Sequence, residues 1–475
     1  MGAGIEAGRF GWSVRTGRLE LKGMQALVLG LGDTGLSMAR WLARRGAVVR
    51  VADTRETPPR ADDLALALPD ARLDTGPFRE PSFDSAELIA ISPGIPAQDP
   101  AVARARGRGV PVWGDVEFFA QAVQENARPR ILAVTGTNGK TTVTSMTGAL
   151  CRAAGLDACV AGNIAPPVLD ALMEREDSGR MPDVWVLELS SFQLEITYSL
   201  NASAAVMLNL TEDHFDRYHG MEDYAAAKAR VFNGTGAQIL NRDDPYSRSM
   251  ARCGRRTFTF GLGEPELKGE WGIAERGGRA WIAENGDRLL PVDELQVVGS
   301  QNAANALAAL ALCRAIDLPY AALVDGLRGF RGLPHRVERV AEIAGVVFYD
   351  DSKGTNVGAT IAALGGLGRR AVLIAGGDGK SQDFSPLKAA VAEHARAVVL
   401  IGRDGPAIGR ALQGSRVPIL ASTTLPDAVK LAFGVAQAGD AVLLSPACAS
   451  FDMFRNYEHR ARVFVETVAS LEGAR

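Results

Sequence analysis

Lys140 and Thr141 are the residues of this chain whose chemistry is easiest to state. They sit in the run Gly136-Thr137-Asn138-Gly139-Lys140-Thr141-Thr142. A lysine ammonium in that setting neutralises the outer phosphates of a nucleoside triphosphate, and a threonine hydroxyl can ligate Mg²⁺. The glycines let backbone N–H groups converge on an anion at the positive end of a helix. Such a loop needs a strand before it and a helix after it. Residues 131–134 are an apolar run of strand length, and Val143, Met146 and Leu150 then recur at helical spacing until Gly155 can end the helix. The strict phosphate-loop pattern has a glycine where this chain has Val134. The strand and helix context still commits residues 136–142 to ATP or GTP.

Acids and bases that could serve the same phosphates follow at the ends of later strand-like runs. Glu188 interrupts the run VWVLELSSFQLE, and the loop after Leu210 holds Glu212, Asp213, His214 and Asp216. In a parallel sheet these strand ends lie beside the phosphate loop. Carboxylate and imidazole there suit Mg²⁺ bridging phosphates. Lys228, in the helix MEDYAAAKARVF, reads by spacing alone as a solvated helix charge.

Two further regions carry chemistry of the same kind. Gly30-Leu31-Gly32-Asp33-Thr34-Gly35 joins the run MQALVLGLG to an amphipathic helix, and Asp53 ends the next strand. That is the dinucleotide fingerprint in its proper context, and it suits NAD or any nucleotide diphosphate. The turn Ser92-Pro93-Gly94-Ile95-Pro96 faces the same crevice. In the last third, strand ends carry Asp350-Asp351-Ser352-Lys353-Gly354-Thr355-Asn356, then Gly376-Gly377-Asp378-Gly379-Lys380, then Ser445-Pro446-Ala447-Cys448-Ala449-Ser450-Phe451. Two lysines, Lys353 and Lys380, opening on one crevice imply an acidic substrate.

The elements that position these residues define the fold class, α/β. A Rossmann-like unit spans 1–115, with residues 1–23 as a flexible extension. A central P-loop unit spans 116–332 and a second Rossmann-like unit 333–475. The segment VWGDVEFFAQAVQ links the first two, and GFRGLPHRVE the last two. Within the central unit, TFTFGLG and RAWIAENGDRLL read as short antiparallel strands, with Asn285-Gly286 as a hairpin turn. Gly299-Ser300-Gln301-Asn302-Ala303-Ala304-Asn305 opens an alanine-rich helix, with Asn302 and Asn305 on one face of its first turns.

Bulk properties narrow the function. The 475 residues carry a net charge of −3, with 47% hydrophobic and 23% charged residues. That excludes a general electrostatic pull toward nucleic acid or anionic membrane. No apolar run reaches membrane-spanning length. The five cysteines are dispersed, which fits a reducing cytoplasm and argues against a structural zinc site. A pyrophosphate-grasping unit, an ATP-hydrolysing unit and a crevice with two lysines together suggest ATP-driven joining of two acids through an acyl phosphate.

The motifs GTNGKTT, ELSSFQLE, NLTEDHFDRYHG, AAKAR, QNAANALAA, GLPHRVE, DDSKGTN, GGDGKSQDF and SPACASFDMFRNYEHR, in this order, resemble those of the Mur ligases. GTNGKTT alone marks only a wider superfamily that includes folylpolyglutamate synthases. GLGDTGLS with ADTR, DDSKGTN and SPACASFD narrow the resemblance to the members that add D-glutamate. The resemblance implies a cytoplasmic enzyme of peptidoglycan precursor synthesis, expected as a monomer. Its substrates would be UDP-N-acetylmuramoyl-L-alanine, D-glutamate and ATP, with Mg²⁺. It implies that Asp33, Thr34, Asp53, Thr54, Arg55 and Gly94 hold the UDP-sugar. Residues Gly136, Thr137, Asn138, Gly139, Lys140, Thr141 and Thr142, with Asn163, Asn305, Arg336, Asp351 and Lys353, would bind ATP. Thr141, Glu188, His214 and Lys228 would hold metal. Lys140, Glu188, His214 and Lys228 would be catalytic, Lys228 as a carbamylated lysine. Thr355, Lys380, Ser450 and Tyr457 would form the D-glutamate pocket, Tyr457 mainly through its backbone. The competing readings are an NAD-dependent oxidoreductase, a P-loop ATPase acting on a protein partner, and a ligase adding glutamate to a folate.

Overall fold

The computed structural model describes residues 20–124 and 129–473. The expected α/β class is observed, as three sheets built from repeated strand–helix alternation. The first sheet is wholly parallel, in the spatial order Arg72–Thr75, Val48–Asp53, Gln25–Leu29, Leu88–Ile91, Val112–Trp113. Chain direction through the sheet reverses at Gln25–Leu29, so a crevice opens at its C-terminal end, where the glycine turn follows. Gly35 is obligatory there: a Cβ on it would lie 1.8 Å from the Gly30 carbonyl oxygen.

Residues 1–19 of the expected extension, and 125–128 of the polar joint after the linking helix, lie outside the described residues. The extension is shorter than expected at its other end. Leu21 is buried in the first core, and the Gly23 N–H donates to the Gly46 carbonyl at 2.8 Å.

The second sheet has seven parallel strands, in the order Ala158–Gly162, Val184–Glu188, Arg130–Thr135, Ala204–Met207, Ala237–Asn241, Thr257–Phe260, Glu270–Arg276. Arg279–Glu284 and Asp287–Pro291 then add an antiparallel hairpin, turned at Asn285 and Gly286 with positive φ at both. The antiparallel reading therefore holds for that hairpin and fails for Thr257–Phe260, which is parallel to both its neighbours. Four alternating residues specify a face; the neighbour they pair with decides direction. The third sheet is parallel from Val346–Asp350 through Ala441–Leu444, Ala371–Gly376 and Ala395–Ile401 to Ile419–Ala421, with Glu338–Ile343 as an antiparallel edge.

Two helices hold the parts in place. Asp115–Gln124 presents neighbouring phenylalanines about 100° apart around its axis. Phe118 meets Trp41 and Trp113 of the first unit, each at 5.5 Å between centroids, and Phe119 meets Trp185 of the second at 5.0 Å. Each such pair contributes about 0.5–1.5 kcal/mol beyond its buried area. Ser300–Ala315 is buried almost all round, and its small residues let it approach the phosphate-loop helix Lys140–Ala153 closely, with Cys313 Sγ 4.0 Å from Cys151 Sγ.

Candidate active site

The first glycine turn borders a cavity of ≈ 510 Å³. Asp33, Thr34, Asp53, Thr54, Arg55 and Gly94 all line it, so the fold brings these six residues together. Asp53 does so differently from a ribose-binding acid. Its Oδ1 accepts from the Arg55 backbone N–H and Nε (both 2.9 Å), and its Oδ2 accepts from the Leu31 N–H (2.6 Å) and Arg55 Nη2 (2.7 Å). Burial alone would raise its pKa, but these donors outweigh it and hold the carboxyl below its usual range. Asp53 therefore shapes the wall and aims Arg55.

The opposite wall comes from the second sheet and includes Asn163 and Gln193. Asn163 was expected at ATP. It borders this first cavity instead, and its Nδ2 donates to Glu188 Oε1 at 2.8 Å. The reason is register: Gly162 and Glu188 are direct partners on adjacent strands, so the next residue lies over the carboxylate.

The phosphate loop leaves the strand Arg130–Thr135 and enters its helix at Gly139, whose φ of +84° only glycine adopts readily. A Cβ there would also lie 2.6 Å from Asn305 Oδ1. Lys140 curls back, Nζ donating to the Gly136 (2.9 Å) and Thr137 (2.8 Å) carbonyls. Lys228 Nζ donates to that same Gly136 carbonyl at 2.8 Å, from a side chain only 1% exposed, over the Tyr224 ring. The solvated helix charge read from spacing is thus wrong: the helix Met221–Ala229 turns this lysine inward. Burial first, and the Lys140 charge second, push its pKa well below the ordinary lysine value. Burial also lowers Lys140, against the opposing fields of Glu188 and Asp213.

Glu188 ends its strand 2% exposed, and its Oε2 has no partner among the described residues. An orphaned carboxylate oxygen there, amid the fields of Lys140, Lys228, Arg336 and Lys353, is the donor a divalent cation needs. His214 sits at φ +59°, its ring edge-on to Phe192 at 4.8 Å. Burial lowers its pKa, and Lys380, Lys228 and Lys140 lower it further, so the imidazole is neutral and able to ligate metal near pH 7.

A second cavity, of ≈ 290 Å³, lies between the phosphate loop and the third unit. Asn138, Gly139, Thr142, Asn305, Arg336, Asp351 and Lys353 line it, so four of the five expected ATP contacts outside the loop converge here. Arg336 Nη2 donates to Thr141 Oγ1 at 2.7 Å. Burial raises the Asp351 carboxyl to about 7, against the Ser445 hydroxyl, whose Oγ is 2.6 Å from Asp351 Oδ2, and the Arg336 charge. Burial lowers Lys353 to about 8, with Arg336 adding to it; its ammonium lies 3.8 Å from the Tyr457 ring centroid.

The D-glutamate candidates belong to neighbouring loops. A two-residue bridge, Asp378 with Ala449, ties the Lys380 loop to the Ser450 loop. Lys380 is exposed, and among the described residues its ammonium has no hydrogen bond or ion pair; Ser450 is buried and Thr355 half-buried. Tyr457 gives its carbonyl to the Ser352 hydroxyl at 2.8 Å and its ring to Lys353. Arg336 meets Thr141 and Asn356 meets Asn138, so the third unit faces the phosphate loop across one cleft.

Three features escaped the sequence reading. Asn356 exchanges amide hydrogen bonds with Asn138, at 3.0 and 3.3 Å. His335 and Val337 both take positive φ around Arg336, and His335 Nδ1 lies 2.6 Å from Asp350 Oδ2, which together set the Arg336 side chain into the site. The DDSKGTN and GLPHRVE motifs contained these residues, but only the tertiary pairing shows what they meet. Arg217 donates to the Pro93 carbonyl (3.0 Å) and to Glu195 (2.9 Å), tying the His214 loop to the turn beside the first cavity. Among the described residues no helix is long and apolar enough to cross a membrane.

Comparison with known proteins gives a consistent picture. Residues 24–114 match the Mur ligase MurD-like N-terminal domain, 134–313 the Mur ligase middle domain, and 335–448 the Mur ligase glutamate ligase domain. The chain is 56% identical to a UDP-N-acetylmuramoylalanine–D-glutamate ligase of Nitrosospira multiformis, and 58% identical to one of Thiobacillus denitrificans. Each match covers 96% of this chain and 98% of the relative. Its fold is similar to that of the UDP-N-acetylmuramate–alanine ligase MurC of Thermotoga maritima, with a TM-score of 0.59 at 20% identity, over 94% of this chain and 99% of that one.

Proposed function

This chain belongs to the Mur ligase family, and we propose that it joins D-glutamate to UDP-N-acetylmuramoyl-L-alanine with hydrolysis of ATP to ADP and phosphate, in peptidoglycan precursor synthesis. The observation that carries this reading is the set of contacts across the cleft: Arg336 Nη2 donates to Thr141 Oγ1 at 2.7 Å, and Asn356 exchanges amide hydrogen bonds with Asn138. These contacts support a third-unit loop opposite a phosphate loop, as capture of an acyl phosphate requires.

In this reading the UDP-sugar lies in the first cavity and ATP in the second, with the Glu188 carboxylate between them. The substrate carboxylate oxygen attacks the γ-phosphorus, and the bond to the ADP oxygen breaks. Lys140 balances charge on the transferring phosphoryl group. The D-glutamate amine, held by Lys380 with Thr355 and Ser450, then attacks the acyl carbon. The amide bond forms as phosphate leaves, and the amine gives up its proton. Thr141, Glu188, His214 and Lys228 would hold Mg²⁺, which when bound supplies positive charge to the phosphates.

Lys228 suits carbamylation because burial and the Lys140 charge both disfavour its ammonium form, and only the uncharged amine reacts. The lone pair of the neutral amine adds to CO₂, one proton leaves to solvent, and a buried amine becomes an anionic ligand. In ¹³C-bicarbonate the protein should show a carbamate carbon resonance that Lys228→Ala abolishes; its persistence in that variant would exclude the residue. The oxidoreductase reading is disfavoured by Asp53, whose oxygens already accept four hydrogen bonds and leave none for a ribose diol. The deciding experiment measures phosphate release with UDP-N-acetylmuramoyl-L-alanine while the amino acid is varied. D-glutamate should be required. Release that ignores the amino acid would defeat the proposal.

A further inference from the structure

His214 takes a left-handed backbone conformation, at φ +59°. For a residue with a Cβ that conformation is unfavourable, and it persists only where the surroundings impose it. Arg217 does so from two directions. Its backbone N–H donates to the His214 carbonyl at 2.9 Å, beside the Tyr218 N–H at 3.0 Å. Its side chain, only 9% exposed, reaches the same residue through one aromatic ring. The guanidinium lies 4.3 Å from the Phe192 ring centroid, and Phe192 meets the His214 imidazole edge-on at 4.8 Å.

Arg217 is itself anchored in two units. Nη1 donates to the Pro93 carbonyl at 3.0 Å, in the first-unit turn that borders the first cavity. Nη2 pairs with Glu195 Oε2 at 2.9 Å, at the end of the helix Ser191–Glu195. Glu195 is fixed in turn, because its Oε1 accepts from the Tyr218 hydroxyl. Phe192 belongs to the same short helix and stacks on Tyr218, with 6.0 Å between centroids. Arginine suits this post: its planar fork gives N–H groups to two partners while its face lies on a ring, which the point charge of lysine cannot do.

We propose that Arg217 is a positioning residue: anchored on the Pro93 carbonyl and Glu195, it clamps Phe192 and so holds the His214 imidazole in the pose that ligates Mg²⁺. In this role it acts only through His214, and the assignment rests on the reading of His214 as a metal ligand. It also makes the metal site depend on the first unit, whose turn supplies one of the two anchors.

The test labels the full chain with ¹⁵N-histidine and follows the imidazole resonances while Mn²⁺ is added in the presence of the β,γ-methylene analogue of ATP. His214→Gln identifies the His214 signals by their loss. In the unaltered chain Mn²⁺ should broaden them selectively. Arg217→Met should need about 10- to 100-fold more Mn²⁺ for the same broadening. Arg217→Lys, which keeps the charge and most of the length, should fall between the two and carries the test if the methionine variant does not fold. An unchanged Mn²⁺ dependence in either folded variant overturns the proposal. Steady-state phosphate release gives a second readout: the Mg²⁺ requirement should rise by a similar factor, with kcat recovered at saturating Mg²⁺. A loss of kcat that Mg²⁺ does not restore also overturns the positioning role. If Mn²⁺ leaves the His214 signals of the unaltered chain untouched, the reading of His214 as a metal ligand falls first, which separates the two claims.

Discussion

Replacing Asn356 by serine separates two tasks of one side chain. Asn356 Oδ1 caps the helix Val357–Gly366 by accepting from the Ala359 N–H at 2.9 Å, while the same carboxamide exchanges hydrogen bonds with Asn138 in the phosphate loop. Serine caps a helix about as well as asparagine, but its shorter side chain cannot hold the amide pair across to Asn138. Two neutral hydrogen bonds are lost, each worth about 0.5–1.5 kcal/mol, so about 1–3 kcal/mol disappears from the arrangement in which the third unit faces the loop. Folding should hardly change, because the third sheet closes its core on its own residues, among them Leu373, Val398 and Leu443; the expected shift in Tm is below about 2 °C. The loss should fall on turnover, lowering kcat/KM about 5- to 150-fold. Initial rates of phosphate release measure it, and Asn138→Ala with the double variant completes a cycle. A coupling of roughly 1–2 kcal/mol is expected. Strictly additive losses would refute the idea that these two amides act as one clasp.

Three further outcomes are expected. Lys380→Ala should raise the KM for D-glutamate at least tenfold more than that for ATP, because its ammonium is committed to nothing else among the described residues; equal effects in steady-state rates would contradict its assignment. Gly35→Ala should abolish calorimetric binding of the UDP-sugar while leaving ATP binding intact, since the added Cβ collides with the Gly30 carbonyl far from the phosphate loop. The third concerns pH. The Asp351 carboxyl is raised from 3.8 to about 7, so the folded state holds a proton that the unfolded chain releases earlier. Its contribution to stability is fully present below the unfolded value and is lost as pH rises through 7. Thermal melts between pH 5 and 8 should therefore show Asp351→Asn gaining on the unaltered chain up to about pH 7 and level above it. A constant difference across that range would refute the shift.

What could be read from the residues in order was whatever lies within one strand–turn–helix unit. The phosphate loop, the turn from Gly30 to Gly35 and the strand ends at Asp351, Lys380 and Ser450 are local backbone devices, in which glycine, lysine and acid spacing already implies the geometry. Lys228 shows the limit of such reading. Its helix has no apolar stripe to say which side faces in, and only the packing of that helix under Gly136 makes the lysine buried and depresses its pKa. Asn163 and Asp53 show the same limit: register across the sheet sends one to Glu188, and the fold of its own turn occupies the other. Direction of pairing at Thr257–Phe260 was likewise open, because alternation names a face and not a neighbour. The cleft itself, with Asn138 meeting Asn356 and Arg336 meeting Thr141, joins residues about 200 positions apart. Covalent order constrains near neighbours strongly and distant ones hardly at all, so contacts of that span exist only once the three sheets have packed.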